Sequence, residues 1–386
     1  MTKVGVDVYL AGGGMKCVYQ ASFLKRLEAE TEVPINNVVG LSFGSVMGYG
    51  ACTGRHEEII EFCRSLSPAN LVPCFDLWGY GKFVRSLPLV GRVLGSLLDI
   101  IWILNALRVK GLFRPTFGEG FLQRIAPTGS QSDKLRRFRC VVYNVTRART
   151  EAIEGTHPLI ADYIVASCSR WLIFPPRLIR RLRSECECGE QCADTGCGPY
   201  HGSHSPHDPP DPHDLCQCTH ADHHSNEYID AGFHGTIPYD LRSQIPAEQR
   251  SETELLLTTE DIRSHQAETF TTGTNLLEYL DNLVSLTSGT LSRNRLEEWM
   301  KEWMKEWGHT PDTRVFVINY RPRVTRAIEI DRDLVTTSLE DGDRLYEKFR
   351  GEFTTGPSRP APPPGLPPPP PPPPPPAPRR PVFVEL

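Results

Sequence analysis

Twice within its first 50 residues the chain passes from a strand-like stretch through a glycine-containing turn into a helical pattern. Val4, Val6, Val8 and Leu10 alternate as a strand does, Gly12-Gly13-Gly14 follows, and residues 18–29 read as a helix. Residues 37–40 form a second short strand, and Gly40-Leu41-Ser42-Phe43-Gly44 leads from it into another helix. Strand, turn and helix in that repeated order mark an α/β fold. Helical patterns follow at 57–66, 93–109 and 159–167, and a β-rich run at 138–144 suits a later strand of the same sheet. A strand at 255–258, helices at 274–288 and 294–307 and a strand at 314–320 complete the body. In the 294–307 helix, Trp299, Trp303 and Trp307 recur every fourth residue, a stripe that reads as core packing.

Two stretches break this pattern. Residues 184–227 carry Cys186, Cys188, Cys192, Cys197, Cys216 and Cys218 together with seven histidines, among them His220, His223 and His224. The segment reads as an inserted loop, and its density of thiols and imidazoles suits a structural zinc ion, which would order a loop almost without apolar residues. From residue 356 proline dominates, with ten in succession before Ala377-Pro378-Arg379-Arg380. The expectation is therefore one domain over 1–355 and a disordered proline-rich tail over 356–386. Pro375-x-x-Pro378-x-Arg380 fits the groove of a proline-recognition module.

Composition excludes some functions. A formal net charge of -5 argues against nucleic acid as a partner. The start MTKVGVDVYLAGGG has no apolar signal core, and six cysteines lie scattered through the body without a disulfide-framework spacing, so the expected setting is intracellular and reducing. The apolar stretch 87–107 is interrupted by Pro88, Gly91, Arg92, Gly95 and Asp99, a poor membrane span but a fair lid or cap helix.

The chemistry rests on the turns. A serine in G-x-S-x-G between strand and helix has its hydroxyl lifted into the open, with Gly40 and Gly44 permitting the sharp bend. Gly12, Gly13 and Gly14 leave backbone N–H groups free to approach an oxygen that gathers negative charge. The turn lacks the Lys-Ser/Thr ending of a nucleotide loop, which disfavours nucleotide binding.

Glycine turn, elbow serine and a distant Tyr228-Ile229-Asp230-Ala231-Gly232 occur in an order that resembles the patatin-like phospholipase family. Ala166-Ser167-Cys168-Ser169, Phe174-Pro175-Pro176 and Gly111-Leu112-Phe113 are also similar to family segments. The resemblance implies a three-layer α/β/α fold, a dyad of Ser42 and Asp230 without a catalytic histidine, an oxyanion hole at Gly12, Gly13 and Gly14, and no catalytic cofactor. It implies a phospholipid or other acyl ester lipid as substrate, met peripherally at cytoplasmic membranes or lipid droplets. Cys17, Phe43 and Ala231 depart from the family pattern around the oxyanion turn, nucleophile and aspartate. Two alternatives stay open: a three-residue site using His234 or His157, and an inactive fold serving as a scaffold through its tail.

Overall fold

The computed structural model describes residues 3–30, 33–66, 116–125, 135–170, 174–180, 225–234, 247–259, 314–320, 332–355 and 382–384, with residues 245 and 298 singly. The chain begins with β1 (Lys3–Leu10), a 3₁₀ turn (Gly14–Cys17) and α1 (Val18–Glu30). Next come β2 (Ile35–Leu41), α2 (Phe43–Thr53), α3 (His56–Ser65) and α4 (Thr116–Arg124). They are followed by β3 (Phe138–Asn144), β4 (Arg149–Glu154), α5 (Ile160–Ser167), β5 (Arg177–Arg180) and β6 (Ser225–Ile229). Finally come β7 (Ser251–Leu257), β8 (Arg314–Ile318), α6 (Arg332–Thr355) and β9 (Val382–Val384).

The strands join in one sheet of order β5-β6-β3-β2-β1-β7-β8-β9, with β4 also on β3. From β3 to β9 all neighbours run parallel, whereas β4 and β6 are antiparallel to β3, and β5 to β6. One pairing positions the functional site. β2 accompanies β3 only as far as the pair Leu41 and Val141; beyond it, on the same edge, β6 takes over at Tyr143 and Asn144. The residues leaving β2 and β6, Ser42 and Asp230, are thereby brought to the same end of β3.

A large apolar core lies on one sheet face, where Val6, Val8, Leu10, Val38, Cys140 and Val142 meet residues of α1 to α6. The opposite face carries a smaller buried cluster of Tyr9, Val39, Leu41, Val141, Leu256, Val315 and Val317. The fold is thus mixed α/β; the expected third layer lies outside the described residues. Because β1 is central, its alternation marks which face a side chain serves, not which is wet: Asp7 is fully buried. Its carboxylate accepts from Asn37 Nδ2 at 2.7 Å, Ser251 Oγ at 2.7 Å and Ser251 N–H at 2.8 Å, tying β1 to β2 and β7. That network explains why β7 starts at Ser251, earlier than its apolar run at 255–258 suggests.

Other expectations are corrected at their edges. Ser225, Asn226 and Glu227 belong to β6, so the insertion expected over 184–227 ends before them; their backbone is needed by β5 and, at Glu227, by Val145 N–H. The tail expected to be disordered to residue 386 ends in the sheet instead: Val382, Phe383 and Val384 pair with β8, and Val384 is buried in the main core. A β-branched and aromatic triplet covering an open strand edge outweighs the proline composition before it. Segments 87–107, 184–224, 274–288 and 356–381, and the 294–307 helix apart from Glu298, lie outside the described residues. Among the described residues no helix is long and apolar enough to cross a membrane.

α6 was not anticipated. It packs along α1, with Phe23 against Tyr346 and Phe349, and Ser22 Oγ donates to Leu339 C=O at 2.6 Å. The helices approach so closely that a Cβ on Gly342 would overlap Tyr19 C=O and Ser22 Oγ. Gly342→Ala is accordingly expected to destabilise the fold by about 1–3 kcal/mol in denaturant titration, because the backbone obstacle cannot rotate away.

Candidate active site

Ser42 sits between β2 and α2 with φ 54° and ψ −133°, a backbone conformation that a non-glycine residue adopts at a cost of about 1–3 kcal/mol. The bend is possible because its neighbours lack side chains. A Cβ on Gly40 would stand 2.5 Å from Ser45 Cα, and one on Gly44 would stand 2.7 Å from Ala11 C=O. Ser42 C=O accepts the Ser45 N–H at 2.9 Å, which begins α2.

Asp230 follows β6 directly and is buried. Its N–H donates to Ser169 C=O at 3.0 Å, and its Oδ1 accepts Gly232 N–H at 2.7 Å. The Ser42 hydroxyl lies near enough to the same carboxylate to favour its charged form. Burial pushes the carboxyl pKa up; the Ser42 hydroxyl, the Arg170 guanidinium and Gly232 N–H pull it partly back. The result is a carboxylate with more affinity for a proton than an ordinary aspartate, near the hydroxyl that would supply one. Gly232 keeps the turn close, since a Cβ there would lie 2.9 Å from Oδ1.

The glycine turn closes the third side. A Cβ on Gly12 would meet Ser42 Cβ at 2.8 Å, so only glycine lets this backbone lie against the nucleophile turn. Gly13, at φ 148°, occupies a region that glycine enters without penalty. The turn is braced from behind: Thr259 Oγ1 donates to Gly12 C=O, and Ala11 C=O accepts Gln20 Nε2 at 3.1 Å and Cys17 Sγ at 3.4 Å. With the Gly12 carbonyl turned toward Thr259, the N–H groups of Gly12, Gly13 and Gly14 make no hydrogen bond among the described residues. Their position suits them to receive an oxyanion.

The departures from the family pattern have local explanations. Cys17 lies buried, and burial followed by the Asp230 charge raises its thiol pKa far above the ordinary value. It is a packed, protonated thiol. Phe43 is half-buried and stacks on Phe62, which in turn stacks on Phe121 at 4.0 Å, so the ring continues an apolar file through α3 and α4. Ala231 packs in the cluster of the second face.

His157 is placed on the turn before α5, where its Nδ1 accepts Leu159 N–H at 3.0 Å and its ring stands edge-on to Tyr163. That engagement with a helix start gives it a structural task. His234 ends a 3₁₀ turn (Ala231–His234). Cys186, Cys188, Cys192, Cys197, Cys216, Cys218, His220, His223 and His224 lie outside the described residues. Among the described residues no three His, Cys, Asp or Glu side chains gather to hold a metal ion, and Cys17, Cys63, Cys140 and Cys168 form no disulfide. Sequence reasoning attached no role to Ser167, Ser169, Arg170 or Thr259, because each acts through a partner distant in the chain.

The chain belongs to the patatin-like phospholipase family, whose model matches residues 8–242. The match takes in the glycine turn, the elbow and the aspartate turn. A comparison with curated proteins finds no matching relative. The family is one of lipid acyl hydrolases, which sets the class of chemistry to which this arrangement belongs.

Proposed function

We propose that the chain hydrolyses acyl esters of phospholipids or related lipids through an acyl-enzyme on Ser42, with Asp230 as the proton acceptor. The observation that carries the reading is a buried carboxylate of raised proton affinity, brought beside the elbow serine where β6 takes over the edge of β3 that β2 leaves. Ser42 Oγ attacks the ester carbonyl as its proton passes to Asp230, and the oxyanion is received by N–H groups of Gly12, Gly13 and Gly14. Each well-aimed donor of this kind is worth about 3–4 kcal/mol in the transition state. Collapse breaks the ester C–O bond, and Asp230 returns its proton to the departing alcohol. Water, deprotonated by Asp230, then attacks the acyl carbon and frees Ser42, releasing a fatty acid.

Such substrates reside in bilayers and droplets, so the enzyme would work peripherally on a lipid surface, and the proline-rich segment would recruit a proline-recognition module. The test is labelling of purified full-length protein with a fluorophosphonate, whose phosphorus Ser42 Oγ attacks with loss of fluoride. The expected result is one adduct, on the peptide containing Ser42, together with release of fatty acid from phosphatidylcholine vesicles. A folded protein that gains no adduct would leave the scaffold reading in its place.

A further inference from the structure

We infer that Ser167 is the positioning residue that fixes the nucleophile against its base. The ladder between β2 and β3 ends at Leu41 and Val141. In the next rung stands a side chain: Ser42 N–H donates to Ser167 Oγ at 2.8 Å, and Ser167 Oγ donates to Val141 C=O at 2.6 Å. The hydroxyl thus replaces the backbone bond that β2 gives up where it turns away, and it holds Ser42 in its positive-φ conformation.

The direction of the remaining bonds follows from counting protons. Ser167 has one proton, engaged by Val141, so the 3.2 Å contact with Ser45 Oγ has Ser45 as donor; Cys140 Sγ, with one proton of its own, stands 3.5 Å from Ser45 Oγ and 3.6 Å from Tyr163 C=O. All these groups are buried, and water is not at hand to replace a lost acceptor. Two residues further on, Ser169 C=O holds Asp230 N–H at 3.0 Å. One segment at the end of α5 therefore grips the backbone of both Ser42 and Asp230 and sets the distance between hydroxyl and carboxylate. This inference rests on the hydrolase reading given above.

Ser167→Ala removes the acceptor and leaves the Ser42 N–H buried without a partner. We expect the second-order rate of fluorophosphonate labelling at Ser42 to fall with kcat by roughly 10- to 100-fold, as for a small misplacement of reacting groups. KM for a short-chain ester should stay within about twofold, since no substrate contact is lost. Ser22→Ala, which also removes a buried hydroxyl donating to a carbonyl but lies on α1 against α6, serves as the stability control and should label at the wild-type rate. Ser167→Thr and Ser167→Val add the same bulk and differ in the hydroxyl, so the threonine variant should label at least roughly tenfold faster than the valine variant. Equal rates for threonine and valine, or a folded Ser167→Ala that labels like wild type, would overturn the inference. Wild-type protein that gains no adduct at Ser42 would instead overturn the hydrolase reading, and this inference with it.

Discussion

Asp230→Asn is expected to yield a protein that folds at least as well as wild type at neutral pH and hydrolyses esters slower by on the order of ten-thousand-fold. The loss follows because asparagine cannot take the Ser42 proton; Ser42→Ala should be at least as severe, and the double variant little worse, since the two act as one unit. The stability expectation has its own sign. Burial raises the Asp230 pKa in the folded state above its ordinary value of 3.8, so the folded protein holds this proton more tightly than the unfolded chain. The associated stability is fully present below the unfolded pKa and is lost as pH rises through the folded one. At neutral pH wild type carries a buried charge that asparagine lacks, and thermal unfolding should show the variant melting at the same or a higher temperature. Below about pH 3.8 the titration contribution to that gap should vanish. The acid limb of kcat/KM should report the same group, with a midpoint above that of an ordinary aspartate. A variant that loses activity only because it unfolds would show Asp230 to be a structural turn residue. If a folded His234→Ala or His157→Ala variant is as inactive as Ser42→Ala, a histidine has to be added to the site.

The parts of this site that could be read from the sequence are those whose physics is local. A strand-to-helix turn with glycine two residues either side of Ser42 carries its own signature, because the sharp bend must be made within five residues. The same holds for the three glycines at 12–14. Asp230 was legible only through its order in the set, since an Asp-Ala-Gly turn alone is common. How it reaches Ser42 depends on β6 taking the edge of β3 that β2 abandons, a pairing between residues some 80 positions apart in the chain. No window of sequence contains that information. Ser167 and Thr259 escaped for the same reason: a serine at a helix end and a threonine after a strand are ordinary until the third partner is known.

The elements missed outside the site make the same point with other residues. Val335, Leu339, Gly342, Tyr346, Phe349 and Phe353 step by four and three residues and so mark one face of α6, but Glu340-Asp341-Gly342-Asp343 interrupts that stripe with residues that suggest a turn. The interruption is the contact with α1. Asp341 is buried and accepts from Tyr320 Oη at 3.1 Å, and at Gly342 the two helices leave no room for a Cβ. At the carboxyl end, composition averaged over a proline-rich stretch concealed Val382-Phe383-Val384, which are too few to register as a strand except against the waiting edge of β8.

Identical glycine-to-alanine substitutions should therefore have opposite effects, depending on what each added methyl meets. At Gly40 the new Cβ would stand 2.5 Å from Ser45 Cα and 2.8 Å from Ser45 N and Gly44 C=O, all backbone atoms of the first turn of α2. No rotamer change relieves such a clash, so α2 has to shift away from β2. The shift also breaks the positive-φ geometry of Ser42, which that turn helps to hold. Gly40→Ala should cost on the order of 3 kcal/mol or more, lowering the unfolding temperature by roughly 4 °C or more for a domain of about 350 residues. It should also remove fluorophosphonate labelling even at temperatures where circular dichroism reports a folded chain. A Cβ added to Gly351, near the end of α6, would meet nothing within 4 Å among the described residues, and alanine there should stabilise by about 0.5–1 kcal/mol through its better helix propensity. Calorimetry and labelling on the two variants side by side would separate the cost of the elbow from the general preference of alanine over glycine. A Gly40→Ala protein that melts and labels like wild type would mean that α2 can move without disturbing Ser42, and the steric account of the nucleophile turn would have to be abandoned.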